Sequence, residues 1–174
     1  MLTRFFSIFA MLALVAGCSG TQDDALSVSQ QGGANAGADE SVSSTDLGGG
    51  PIPGSQEDLI ATAGSDTIYF AFDSSVLDAR SEGILQQQAE WLQSNQNVSM
   101  TIEGHCDERG TREYNLALGD RRANAVKEYL VALGIDSERL LTISYGYERP
   151  VDPGHNEQAW AQNRRAVSVA NLTN

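Results

Sequence analysis

From Thr67 onward, four short stretches alternate apolar and polar residues, and segments with helical spacing separate them. That pattern constrains the fold more than any other feature of the chain. In "TIYFAFDSS", Ile68, Phe70 and Phe72 oppose Tyr69, Ala71 and Asp73, and in "NVSMTIEG", Val98, Met100 and Ile102 oppose Ser99, Thr101 and Glu103. "RLLTISYG" and "RRAVSVANL" supply two more strands, with Leu141 and Ile143, then Val167 and Val169, on their expected apolar faces. Alternation predicts strands with one covered and one more open face. Between the first two, Ser75 stands three residues before Asp78, a weak capping-box signal for a helix running to Trp91 or Leu92. Leu77, Ile84, Leu85, Gln88 and Leu92 mark its inner side. A second helix is expected from Thr111, with Ala123, Val126, Leu130 and Leu133 inside and Gly134-Ile135 folding back on its last turn. The expected fold is an α/β two-layer sandwich: a four-stranded sheet with helices packed on one face, spanning residues 64–174.

The preceding residues are different in kind. Residues 1–17 pair one arginine, Arg4, with an apolar run from Phe5 to Val15, which reads as a signal peptide. The run ends in "LVAGCSG", which resembles the lipobox of bacterial lipoproteins. The resemblance implies cleavage before Cys18, acylation of that residue and, because Ser19 rather than aspartate follows, an outer-membrane address. Several acyl chains suffice for stable anchoring, at roughly 0.8 kcal/mol per buried methylene. Residues 18–63 then form a Gly/Ser-rich stretch whose seven acids are matched by no Lys or Arg. Such a segment lacks the apolar surface to offset its chain entropy and is expected to be a disordered linker. With Cys18 acylated, Cys106 has no partner in the chain and is expected to be a shielded thiol. A net charge of −12 argues against nucleic acid as a partner.

Chemistry-bearing residues concentrate in "GHCDERGTREYNLALGDRR", Gly104 to Arg122. His105, Cys106, Asp107 and Glu108 are all capable metal ligands, but neighbours at a strand end point in opposite directions, so few of them can meet one ion. The same geometry separates His105 from Cys106 as base and nucleophile. No G-x-S-x-G elbow, H-E-x-x-H pair or phosphate-binding glycine loop is present. The remaining reading is a site for a small zwitterion. The start of the second helix collects unpaired N–H groups and the positive end of the helix dipole. Asp107 precedes that start and suits an ammonium group. Asn115, Leu118 and Arg122 share a helix face, and Arg122 offers a planar grip on a carboxylate. A plain surface ion pair between Asp107 and Arg122 fits the same spacing.

The loop and helix also resemble the OmpA-like peptidoglycan-binding domain, whose motif has the form "GHTD..G...YN..LS..RA..V". Here the matching residues are Gly104-His105-Cys106-Asp107, Gly110, Tyr114-Asn115, Leu118, Arg122-Ala123 and Val126. Cys106 replaces the usual threonine, and Ala71 departs from the family's "FDFD" strand. The resemblance implies a non-catalytic domain, without cofactor or metal, that binds the diaminopimelate side chain of peptidoglycan stem peptides. Asp107 would pair with the ammonium and Arg122 with a carboxylate. Phe72, Asp73, Glu108, Arg109, Gly110, Thr111, Tyr114, Asn115 and Leu118 would form the walls, with Arg164 at the edge. It further implies TolB and other Tol-Pal proteins as partners, in envelope integrity and cell division. A cell-wall hydrolase is the alternative, with no catalytic motif to support it.

Overall fold

The structure, a computed structural model, describes residues 50–172. The expected signal peptide and Cys18 lie outside the described residues, as does most of the expected linker.

Four strands and four helices build the expected two-layer sandwich. In chain order they are α1 (Gln56–Ala63), β1 (Thr67–Tyr69), α2 (Ala79–Ser94), β2 (Val98–His105), α3 (Arg112–Ala132), a short 3-10 turn (Ser137–Arg139), β3 (Leu140–Gly146), α4 (Glu157–Asn163) and β4 (Arg165–Leu172). The sheet order is β1-β4-β2-β3. β4 runs antiparallel to both β1 and β2, whereas β2 and β3 are parallel and joined through α3. The core between sheet and helices holds Leu59, Ile68, Phe70, Leu85, Leu92, Met100, Ile102, Val126, Leu130 and Leu140.

α1 falls inside the stretch expected to be linker. Ser55 caps it by accepting from the Asp58 N–H at 3.2 Å, and Leu59 and Ala63 are buried. Its Gln56 compensates for a short neighbour. β1 pairs with β4 only over Arg165–Val167. Beyond that, Gln56 Nε2 donates to the Ser168 carbonyl at 3.0 Å and Oε1 accepts from the Ala170 N–H at 2.8 Å. One side-chain amide thus satisfies the backbone groups a longer β1 would have taken. Composition does not reveal this role, because the helix is short and flanked by linker-like sequence.

Three further expectations need correction. The first strand ends at Tyr69, not near Ser75. The Phe70 N–H still reaches the Arg164 carbonyl at 2.9 Å, but the chain then turns away, and Asp73 takes a left-handed φ of 53°. Phe72 is therefore 61% exposed instead of lying in the core. The next helix begins after Asp78, whose carboxylate accepts from the Ser81 N–H at 2.7 Å; Ser75 plays no part in its cap. Finally, the covered faces of β3 and β4 are the opposite of those expected. Leu140 and Thr142 stand level with Met100 and Ile102, and Ser168 and Ala170 lie opposite Ile102 and Met100, so these residues face the helices. Leu141 and Ile143 are exposed on the open face, and Val167 and Val169 are half-buried there. Small residues occupy the helix side of β4. Alternation separates two faces but does not say which one a helix will cover.

Two features of α3 position the site. Its C-terminus closes as expected, with Gly134 at φ 92°, its N–H on the Val131 carbonyl at 2.9 Å and the Ile135 N–H on the Leu130 carbonyl at 3.1 Å. Nearer its N-terminus the helix touches the sheet backbone to backbone. A Cβ on Gly104 would overlap the Gly119 carbonyl, and one on Gly119 would overlap the Ser144 hydroxyl. This crossing of two glycines brings Leu118 and Arg122 against the end of β2.

Candidate functional site

At that end lies a pocket of about 180 Å³, lined by Phe72, Asp73, Cys106, Asp107, Arg109, Gly110, Tyr114, Asn115, Leu118 and Arg122. Two stretches far apart in sequence meet here: the turn after β1, and the continuous run from the loop after β2 into the first turns of α3. Nine of the twelve expected peptidoglycan-site residues line it. Glu108, Thr111 and Arg164 do not.

Arg122 forms the floor and is fully buried. Its Nε donates to the Ser74 carbonyl at 2.8 Å, Nη1 to the His105 carbonyl at 2.7 Å and Nη2 to the Ala71 carbonyl at 3.2 Å. A guanidinium has five N–H donors. The Cys106 side chain is a further hydrogen-bond neighbour of the guanidinium. No carboxylate among the described residues pairs with Arg122. Burial pushes its pKa down, with the Cys106 and Asp107 charges opposing that shift. A buried cation without a counter-ion is costly. An anionic ligand group would relieve that cost.

The alternative ion pair between Asp107 and Arg122 does not form. Asp107, 5% exposed, binds Arg109 at 2.7 Å and Arg164 at 3.4 Å instead. Burial raises its pKa, but the hydrogen bonds from the Arg109 side chain and backbone outweigh that and hold the carboxyl below its usual range. Arg164 braces Asp107 from behind, with Nε on the Phe70 carbonyl at 3.1 Å and Nη2 on Glu157 at 2.9 Å. It supports the site without lining it.

The walls are held from several directions. The Arg109 guanidinium lies 4.2 Å from the ring centroids of both Phe72 and Trp160. Glu108 points away from the pocket, accepting from Trp160 Nε1 at 2.8 Å and facing His155 Nδ1 at 2.6 Å. Thr111 caps α3, its Oγ1 accepting from the Tyr114 N–H at 3.2 Å. Asn115 ties the loop to the helix by donating to the Arg109 carbonyl at 2.9 Å and the Thr111 carbonyl at 3.2 Å. The Tyr114 hydroxyl donates to Asp73. Sequence reasoning missed Trp160 and Glu157, and also the Ala71 and Ser74 carbonyls. Trp160 carries one local signal, an aromatic four residues before Arg164 on a short polar helix.

His105 and Cys106 take no catalytic arrangement. Burial raises the Cys106 pKa to about 11, and its thiol donates to the Asn115 carbonyl at 3.3 Å. His105 is buried on the far side of the strand, stacked on Tyr145, and burial together with Arg165 and Arg149 lowers its pKa to about 4. Its Nε2 lies 3.4 Å from Glu103, yet neither ring nitrogen makes a well-directed hydrogen bond. It is a neutral packing residue. Among the described residues, no group of three or more His, Cys, Asp or Glu is placed to hold a metal ion.

The two-layer fold and the cation-floored pocket at the end of β2 define a small domain of the α/β sandwich type. The OmpA family model matches residues 69–171, and the chain belongs to that family. Among its relatives, the peptidoglycan-associated lipoprotein of Brucella melitensis is 51% identical over 129 residues, covering 72% of this chain and 76% of the relative. The peptidoglycan-associated lipoprotein of Pseudomonas aeruginosa is 44% identical over 163 residues, 93% of each chain. The crystal structure of the peptidoglycan-associated lipoprotein from Burkholderia pseudomallei matches with a TM-score of 0.61 at 44% identity, covering 62% of this chain and 92% of that one.

Proposed function

We propose that the chain is a non-catalytic, lipid-anchored envelope protein whose domain grips the diaminopimelate group of peptidoglycan stem peptides and so ties the outer membrane to the cell wall. The observation that carries this reading is the buried floor of the pocket, where the Arg122 cation has no carboxylate partner among the described residues. A ligand carboxylate meets that cation in a dry setting, where a charge-assisted pair is strongest. Asp107, at the opposite wall, is the complement for the ammonium on the same carbon. The names of the relatives support the same class of ligand. The high pKa of Cys106 and the separation of His105 from it support binding without turnover.

Anchoring through acylated Cys18 after removal of residues 1–17, a periplasm-facing domain, and partnership with TolB and other Tol-Pal proteins complete the proposal. The anchor and partners rest on the lipobox and family resemblance. Titration with a diaminopimelate-containing muropeptide, beside a lysine-containing one, tests the core of it. Selective binding without cleavage is expected. Equal binding of both, or hydrolysis of either, overturns it.

A further inference from the structure

Asp107 has no free acceptor position for the ammonium assigned to it. A carboxylate offers about four lone-pair sites. Oδ1 accepts from the Arg109 backbone N–H and from Arg109 Nε, each at 3.1 Å. Oδ2 accepts from Arg109 Nη2 at 2.7 Å and from Arg164 Nη1 at 3.4 Å. An incoming ammonium must therefore take the place of a resident donor.

The two resident cations differ in how easily they leave. Arg164 is 8% exposed and is also tied to the Phe70 carbonyl. It is also held by Glu157 at 2.9 Å, so moving it would break that pair and leave a buried carbonyl without its donor. Arg109 is 31% exposed, and Glu157 already offers it a second carboxylate at 3.5 Å. Its guanidinium carbon sits 4.2 Å over the ring centroids of both Phe72 and Trp160, so a short slide toward Glu157 keeps the cation near aromatic faces.

We infer that Arg109 is a resident stand-in for the ligand's ammonium: it pairs with Asp107 and exchanges toward Glu157 when a diaminopimelate ammonium binds. The inference rests on the diaminopimelate reading above. One cation replaces another, so the buried acid is never left unpaired. Phe72 and Trp160 act as guides for the moving side chain, which accounts for an exposed phenylalanine beside a charged loop.

Calorimetric titration of the full chain with meso-diaminopimelic acid tests the exchange, alongside the Trp160 indole N–H resonance assigned by its loss in Trp160→Phe. Arg109→Met keeps an unbranched side chain between the rings but removes the competing cation. It is expected to bind about three- to fivefold tighter than the native chain, the scale of a partly exposed ion pair. Arg109→Lys, which restores a cation, should return toward native affinity, and the Trp160 resonance should shift as the native chain saturates. Unchanged or weaker binding by Arg109→Met, or an unmoved Trp160 resonance, overturns the inference. If the native chain binds while Asp107→Asn does not, the pocket assignment stands whatever Arg109 does. If the native chain fails to bind, or Asp107→Asn binds equally well, the diaminopimelate reading falls and this inference falls with it.

Discussion

Three large polar side chains are fully buried among the described residues, and two of them, Gln88 and Arg122, are treated in opposite ways. Gln88, in the middle of the core, is answered at both ends of its amide: Oε1 accepts from the Ser168 hydroxyl at 2.8 Å, and Nε2 donates to the Ser65 carbonyl at 2.9 Å. Arg122, at the end of β2, binds three carbonyls but meets no carboxylate among the described residues. A neutral group paired within the fold contributes structure alone. A charged group left without a counter-ion keeps binding capacity, and the surrounding fold bears its desolvation cost.

The largest effect is expected from Arg122→Met, which takes the guanidinium donor from the buried His105 carbonyl and the part-buried Ser74 carbonyl, and one of two donors from the Ala71 carbonyl. It should destabilise the fold by roughly 3–5 kcal/mol in urea unfolding and abolish binding of meso-diaminopimelic acid. Retention of both would remove the contrast altogether.

His105 comes next, because it carries buried polarity of a third kind. Its folded pKa is lowered to about 4 from 6.5, so the unfolded chain takes up a proton first as pH falls. Stability should therefore decline as pH drops from 6.5 toward 4, by an amount on the order of 3 kcal/mol. In His105→Leu that slope should largely vanish when the urea midpoint is followed across this range. Asp107, with a pKa held below 3.8, contributes stability that is present above that value and is lost only as pH falls further.

Gln88→Leu sharpens the comparison from the other side. It leaves the Ser65 carbonyl and the Ser168 hydroxyl unpaired and should cost about 1–3 kcal/mol, while ligand affinity in calorimetry stays native. The smallest change in stability belongs to Phe72→Ala. That side chain is 61% exposed, so unfolding should move by no more than about 0.5 kcal/mol. Binding should still weaken, because Phe72 lines the pocket and its truncation removes part of one wall. Weakened stability with native affinity would show Phe72 to be ordinary packing.

Much of the fold was legible because it is local. Val98, Met100 and Ile102 on β2, the Thr111 cap, the inner face of α3 and the Gly134 turn all follow from spacing and backbone preference over a few residues. The faces of β3 and β4 were not legible, because both alternating sets contain apolar residues and only the β2 register decides which one meets the helices. α1 and the exchange of ladder bonds for Gln56 were hidden for a related reason: their partner, β4, lies more than a hundred residues away. At the site, sequence spacing and family resemblance picked out Asp107 and Arg122 and most of the lining. They did not foresee that Arg122 would bind backbone carbonyls, nor that Arg109 would hold Asp107.

By itself, then, the sequence determined which residue types stand at the end of β2 and at the start of α3, because strand and helix periods place them there. Which charges meet was left to the tertiary structure. Two of the three partners of Arg122 come from the turn after β1, and Trp160 and Glu157 come from α4. A guanidinium chooses among acceptors by distance and burial, and both are set only when separate parts of the chain pack together.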